Sequence, residues 1–163
     1  MERMRRLPCL LLVLTACASP GPGAADVDLG QGAVVYEDVS DGDALLYVEG
    51  CQGLQHVWAA FRADGLGGRR TEVAFRLRDA EDGADVAEPL AIRVNLTRLD
   101  DGRVEWTGGL LLLPDLDAVL GRPLRYEVTV RDEAGVGGHA ERTVSVERAR
   151  CGHCREDDPT CLE

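Results

Sequence analysis

Strict two-residue alternation is the feature that most constrains this chain. Val73, Phe75 and Leu77 recur at every second position, as do Leu90, Ile92, Val94 and Leu96, and Tyr126, Val128 and Val130, with Arg, Glu, Asn or Thr among the residues between them. A period of two sends alternate side chains to opposite faces of an extended strand, so each run has one buried and one wet face. Two such sheets packed face to face bury both apolar sets. Eight runs of this kind are expected, at roughly 33–39, 44–49, 54–63, 71–79, 89–99, 103–113, 123–132 and 139–147. Asp41-Gly42, Asp82-Gly83 and Asp101-Gly102 supply turn residues between them, and Gly135-Val136-Gly137-Gly138 closes the last hairpin. A single helical turn is expected over 115–120, with Asp115 as its N-cap and Gly121-Arg122-Pro123 as its stop. The expected fold is therefore all-β, an antiparallel sandwich of seven to eight strands.

Of the 163 residues, 45% are apolar but only 4% are aromatic, so the core must be built on Val, Leu and Ile. Trp58 and Trp106 are its largest candidate members. In the third run two registers are open. Either Val57, Ala59 and Phe61 face inward, or His56, Trp58 and Ala60 do.

The N-terminus reads as an address. Met1 to Arg6 is a basic head and Leu7 to Leu14 an apolar run too short to span a bilayer as a helix, which together describe an export signal over 1–16. Leu14-Thr15-Ala16-Cys17 resembles the lipobox of bacterial lipoproteins. That resemblance implies cleavage before Cys17, lipid attachment to its thiol, and a cell-envelope location. With Ala18 rather than Asp next, it implies the outer membrane. Two or three acyl chains hold a domain on a membrane where one chain binds only reversibly. Ala16-Cys17-Ala18 also fits ordinary cleavage after Ala18, which would leave a secreted protein. Residues 17–32, rich in Pro and Gly, are expected to form the lipidated cysteine and a flexible tether, ahead of a folded region over 33–148 and a cysteine-containing acidic tail over 149–163.

All 18 basic residues are arginine, against 29 acidic ones, for a net charge of −11. Removal of the first sixteen residues leaves 15 arginines and 28 acids, a net charge of −13. Such a balance excludes a general nucleic-acid-binding surface. The partners expected are the membrane, through the lipid anchor, and an envelope protein or polysaccharide.

In the mature chain Cys51, Cys151, Cys154 and Cys161 remain, an even number in an oxidising compartment, and two disulfides are expected. Strand parity allows Cys51 to join the tail: six alternating strands separate the start of the third run from the end of the eighth, returning the chain to the same pole. Closing a loop of that length stabilises the fold by about 4 to 5 kcal/mol in the chain-entropy model. Cys151-Gly152-His153-Cys154 also spells the dithiol motif of disulfide isomerases. In those enzymes the motif opens a helix, whereas here it runs into Arg155-Glu156-Asp157-Asp158-Pro159, whose charges disfavour a thiolate. Cys151, His153, Cys154 and Cys161 could alternatively supply four zinc ligands, but the second CxxC pair of a zinc site is missing. His139 is expected at the opposite pole from His153. Asp38/Asp41/Asp43 and Asp79/Glu81/Asp82/Asp85 are acidic turns that do not match a calcium loop. No catalytic set has recognisable spacing, so neither an enzyme activity nor a cofactor is expected.

The final hairpin, Tyr126-Glu-Val-Thr-Val-Arg-Asp132-Glu-Ala-Gly135 followed by Thr143-Val-Ser-Val146, resembles the F and G strands of bacterial immunoglobulin-like and PKD-like sandwiches. The likeness covers about twenty residues. It implies a tyrosine corner at Tyr126 and sets Val128 where antibody domains carry a core cysteine, so their inter-sheet disulfide is absent. Gly50-Cys-Gln-Gly53-Leu-Gln-His56-Val-Trp58 is similar to a segment of lipoproteins from GC-rich myxobacteria-like organisms, a resemblance that implies an address and a fold but no activity. The function expected is a non-enzymatic binding or structural lipoprotein of the envelope. The alternative is a thiol-dependent redox or metal-handling lipoprotein built on the tail motif.

Overall fold

The computed structural model describes residues 23–50, 53–68 and 70–148. Ten strands account for most of them: β1 (Asp26–Gln31), β2 (Glu37–Asp38), β3 (Ala44–Glu49), β4 (Gln55–Asp64), β5 (Arg70–Asp79), β6 (Leu90–Asn95), β7 (Thr97–Arg98), β8 (Val104–Leu112), β9 (Leu124–Asp132) and β10 (Gly137–Arg148). Eight are six residues or longer, and no helix occurs among the described residues. The fold is all-β and sandwich-like, as the alternation requires.

One half is built on β4, which pairs antiparallel with β1 and β3 along one edge and with β8 along the other, while β7 pairs with β8. The second half runs β6-β5-β9-β10. These neighbours match the B-E-D and C′-C-F-G orders of immunoglobulin-like sandwiches. β10 joins the halves: Gly137 to Val144 lie along β9, and Ser145 to Arg148 lie along β3. The pairing with β3 is parallel, so the sheet is mixed and curled rather than purely antiparallel as expected. The crossover is fixed by the turn before β3. Gly42 donates its N–H to Thr143 O at 2.7 Å, and the Thr143 N–H returns to Asp41 Oδ1 at 2.7 Å.

The core follows the alternation. Val73, Phe75 and Leu77 of β5 and Tyr126, Val128 and Val130 of β9 are all 2% exposed or less. Phe75 is its aromatic centre, 6.0 Å from the Tyr126 ring, 6.1 Å from Trp106 and 6.3 Å from Phe61. Burying one such ring or Leu side chain stabilises the fold by about 1.5 to 3 kcal/mol. In β4 the inward set is Val57, Ala59, Phe61 and Ala63. Trp106 packs against this core, but Trp58 does not, because β4 register turns it to the outer face.

Several expectations need correction. The tether does not extend to Gly32: Asp26–Gln31 is β1, with Val27 and Leu29 buried. Its alternation is short, and its Gly and Asp content reads as coil until pairing with Asp64 to Ala59 is available. The run expected over 33–39 contracts to Glu37–Asp38, because Gly32 at φ 127° reverses the chain and leaves Val34 and Val35 exposed. The run over 89–99 divides at Leu96, where the chain passes from β6 in one half to β7 in the other. Residues 115–120 keep the expected single turn and its Asp115 cap, with the Ala118 N–H donating to Asp115 Oδ1 and the Leu120 N–H to Leu116 O, but form no regular helix. Tyr126 makes no local corner. Its hydroxyl crosses the sandwich to Gly30.

Candidate binding face

The outer face of the β6-β5-β9-β10 half carries an open groove of about 590 Å³. Its floor follows from register: Ala91 pairs with Ala74 and Ala74 with Thr129, a row of small side chains across three strands. The next row in one direction is Arg93, Glu72 and Arg131. In the other direction Arg76 stands opposite Glu127, and Glu127 opposite Glu141. A charged wall of Arg93, Glu72 and Arg131 thus rises along one side of a floor that alanine leaves low, and the Arg76–Glu127 row lies beyond the lining.

Most of the charges in these rows are already paired. Arg93 bonds Glu72, Arg76 bonds Asp85 through two nitrogens at 2.5 and 3.0 Å, Arg78 reaches Glu127 at 3.3 Å, and Arg125 reaches Glu141 at 3.3 Å. Arg131 is exposed and makes no ion pair with any described residue. Two arginines to one glutamate line the groove, the reverse of the balance in the whole chain.

The described carboxylates with shifted titration are held down, not up. A hydrogen bond from Arg76 lowers Asp85, the Glu81 N–H lowers Asp79, and a hydrogen bond from Arg103 lowers Asp101. Asp132 is buried, and burial alone would raise it, but backbone N–H groups of Gly67, Val136, Gly68 and Ala134 outweigh that and lower it. Burial raises the Tyr126 and Tyr36 hydroxyls far above their ordinary value.

The acidic turns serve the fold. Asp79 accepts from Glu81 N and Asp82 N and pairs with Arg122 at 2.5 Å, Asp82 caps Ala84 N, and Asp43 accepts from Ser40 N. No cluster of three metal-binding side chains occurs among the described residues. Cys17, Cys51, Cys151, His153, Cys154 and Cys161 lie outside the described residues, as does the export signal. The described ends nearest Cys51 and the tail share a pole: Arg148 closes β10 opposite Tyr47, and Tyr47 stands opposite Val57 near the start of β4. His56 is at that pole, edge-on to Trp58 at 4.9 Å, while His139 opens β10 at the other.

Neither the groove nor Arg131 stands out in the sequence. The signal is there in retrospect, since Ala74 and Ala91 occupy outward positions otherwise filled by Arg, Glu and Asn. Recognising it requires knowing that β5 and β6 pair in this register. No protein-family model matches this chain, and no curated protein matches it.

Proposed function

We propose that this chain is an envelope-anchored, non-enzymatic binding lipoprotein that presents its β6-β5-β9-β10 face to an envelope protein or polysaccharide. The groove floored by Ala74, Ala91 and Thr129, with Arg131 unpaired beside it among the described residues, is the observation that carries this reading. An open groove beside an exposed arginine suits a hydroxyl-rich or acidic partner surface. The lipobox at Leu14 to Cys17 supplies the anchor, and eight residues, 18–25, connect it to β1.

A photoactivatable crosslinker at Thr129, introduced in the native host, tests this use of the face. The expected result is a discrete envelope adduct that disappears with Ala74→Arg, which fills the groove floor. An adduct indifferent to Ala74→Arg, or none at all, overturns it.

Within the same proposal, Cys51 is joined to a cysteine of the tail and the remaining two pair with each other. The shared pole of Arg148, Tyr47 and Val57 supports this arrangement. Non-reducing peptide mapping is expected to link a Cys51 peptide to one from 151–161. Alkylatable Cys51, with Cys151 and Cys154 cycling between oxidation states, would instead favour the redox alternative.

A further inference from the structure

The outer face of β3, β4 and β8 breaks the alternation that governs the rest of the fold. Trp58 stands opposite Leu110, His56 stands opposite both Leu112 and Val48, and Leu46 extends the same face along β3. The inward neighbours Leu45, Tyr47, Val57 and Leu111 are apolar as well. A strand apolar on both faces is the pattern of a sheet covered on both sides. Much of this outer face is indeed withdrawn from water. Val48 and His56 are 7% and 6% exposed, Trp58 and Leu112 are half-buried, and Leu46 and Leu110 are 40% and 42% exposed.

We propose that the C-terminal segment, residues 149–163, lies across this face as its cover. The chain leaves β10 at Arg148, opposite Tyr47, with β3 between it and β4. The segment therefore begins about one strand spacing from Leu46 and Val48 and about two from Trp58, at ~4.8 Å per strand. Fifteen residues reach up to about 50 Å when extended, ample to cross three strands and return. Cys151, Cys154, Cys161 and Leu162 give the segment apolar side chains for the face, and Glu156, Asp157 and Asp158 a wet side.

Other occupants fit less well. A stable dimer needs about 800 Å² from each partner, more than a strip of six residues offers when Leu46 and Leu110 alone among them are exposed. The N-terminal connection enters at the opposite pole, since Asp26 opens β1 against Asp64 at the far end of β4. A membrane held by Cys17 would thus approach from the end remote from Val48 and His56. The inference is independent of the groove on the other half, and of which cysteines pair.

A photoactivatable crosslinker at Leu110 in the full chain provides the test. The expected product is a crosslink within a single chain, from Leu110 to a peptide of 149–163. Crosslinks to a second copy, to lipid or to another protein, with none to the tail, would overturn the proposal. Trp58 supplies a second readout in a Trp106→Phe background. Acrylamide quenching is expected to rise severalfold when the chain stops at Arg148, and unchanged quenching in a folded truncated chain contradicts the cover. Should that truncation fail to fold, the crosslink map on the full chain still decides.

Discussion

The Tyr126 hydroxyl donates a hydrogen bond to the Gly30 carbonyl at 2.9 Å, across 96 positions of sequence and from one half of the sandwich to the other. That one buried oxygen thus ties β9 in one half to β1 in the other. Tyr126 is fully buried, which makes this bond costly to lose. Gly30 itself has no room for a side chain. A Cβ there would meet Tyr36 Cε2 at 2.2 Å and Glu37 O at 2.7 Å. Tyr36 lies over this point, its hydroxyl on Leu29 O at 2.9 Å and its ring 4.1 Å from the Arg62 guanidinium.

Tyr126→Phe keeps the ring against Phe75 but leaves the buried Gly30 carbonyl without the hydroxyl. The expected cost is about 1 to 3 kcal/mol. Urea unfolding at neutral pH measures it, with the m-value unchanged. A loss indistinguishable from zero would mean that the cross-sandwich bond contributes nothing to stability.

Asp132 is expected to make stability depend on acid. Its carboxylate bonds the N–H groups of Ala134 and Val136 through Oδ1 and those of Gly67 and Gly68 through Oδ2, fastening the β9–β10 turn to the β4–β5 connection. The folded-state pKa is lowered relative to the unfolded chain. The contribution is therefore fully present above the unfolded value of about 3.9 and is lost as pH falls through the lower folded value. Asp132→Ala is expected to cost about 2 to 4 kcal/mol at pH 7. Denaturant titrations of both proteins at pH 7 and near pH 3 should show that gap narrowing in acid.

Val128 and Thr129 are adjacent but face opposite ways. Val128 is fully buried and Thr129 exposed. Val128→Asp places an unpaired charge in the core and is expected to cost more than about 4 kcal/mol, enough to prevent folding. Thr129→Asp should fold normally. Circular dichroism of the two variants checks this, and equal tolerance would contradict the register of β9.

The parts of this architecture legible in the sequence are those where local pattern and tertiary position agree. β5 and β9 alternate cleanly because each has one core face and one wet face, so Phe75 and Val128 could be assigned without knowing their partners. β4 could not be read this way, since Val57 and Trp58 are both apolar and only pairing with β8 decides which points inward. β1 was hidden for a different reason. Asp26, Asp28 and Gly30 carry coil-like composition, and the strand exists because β4 offers an edge and Tyr126 a hydrogen bond. The parallel contact of β10 with β3 lies beyond any local signal, because it depends on Asp41 and Gly42 capturing Thr143 a hundred positions away. The groove shares that limit: Ala74, Ala91 and Thr129 become neighbours only once three strands are in register.

The most direct test of an envelope-anchored binding module is the intact mass of the mature protein from its native membrane, before and after ester hydrolysis. A chain that begins at Cys17 and carries acyl chains on that residue is the expected result, together with partition into detergent that Cys17→Ala abolishes. A mature chain beginning at Ser19 with no added mass would contradict it.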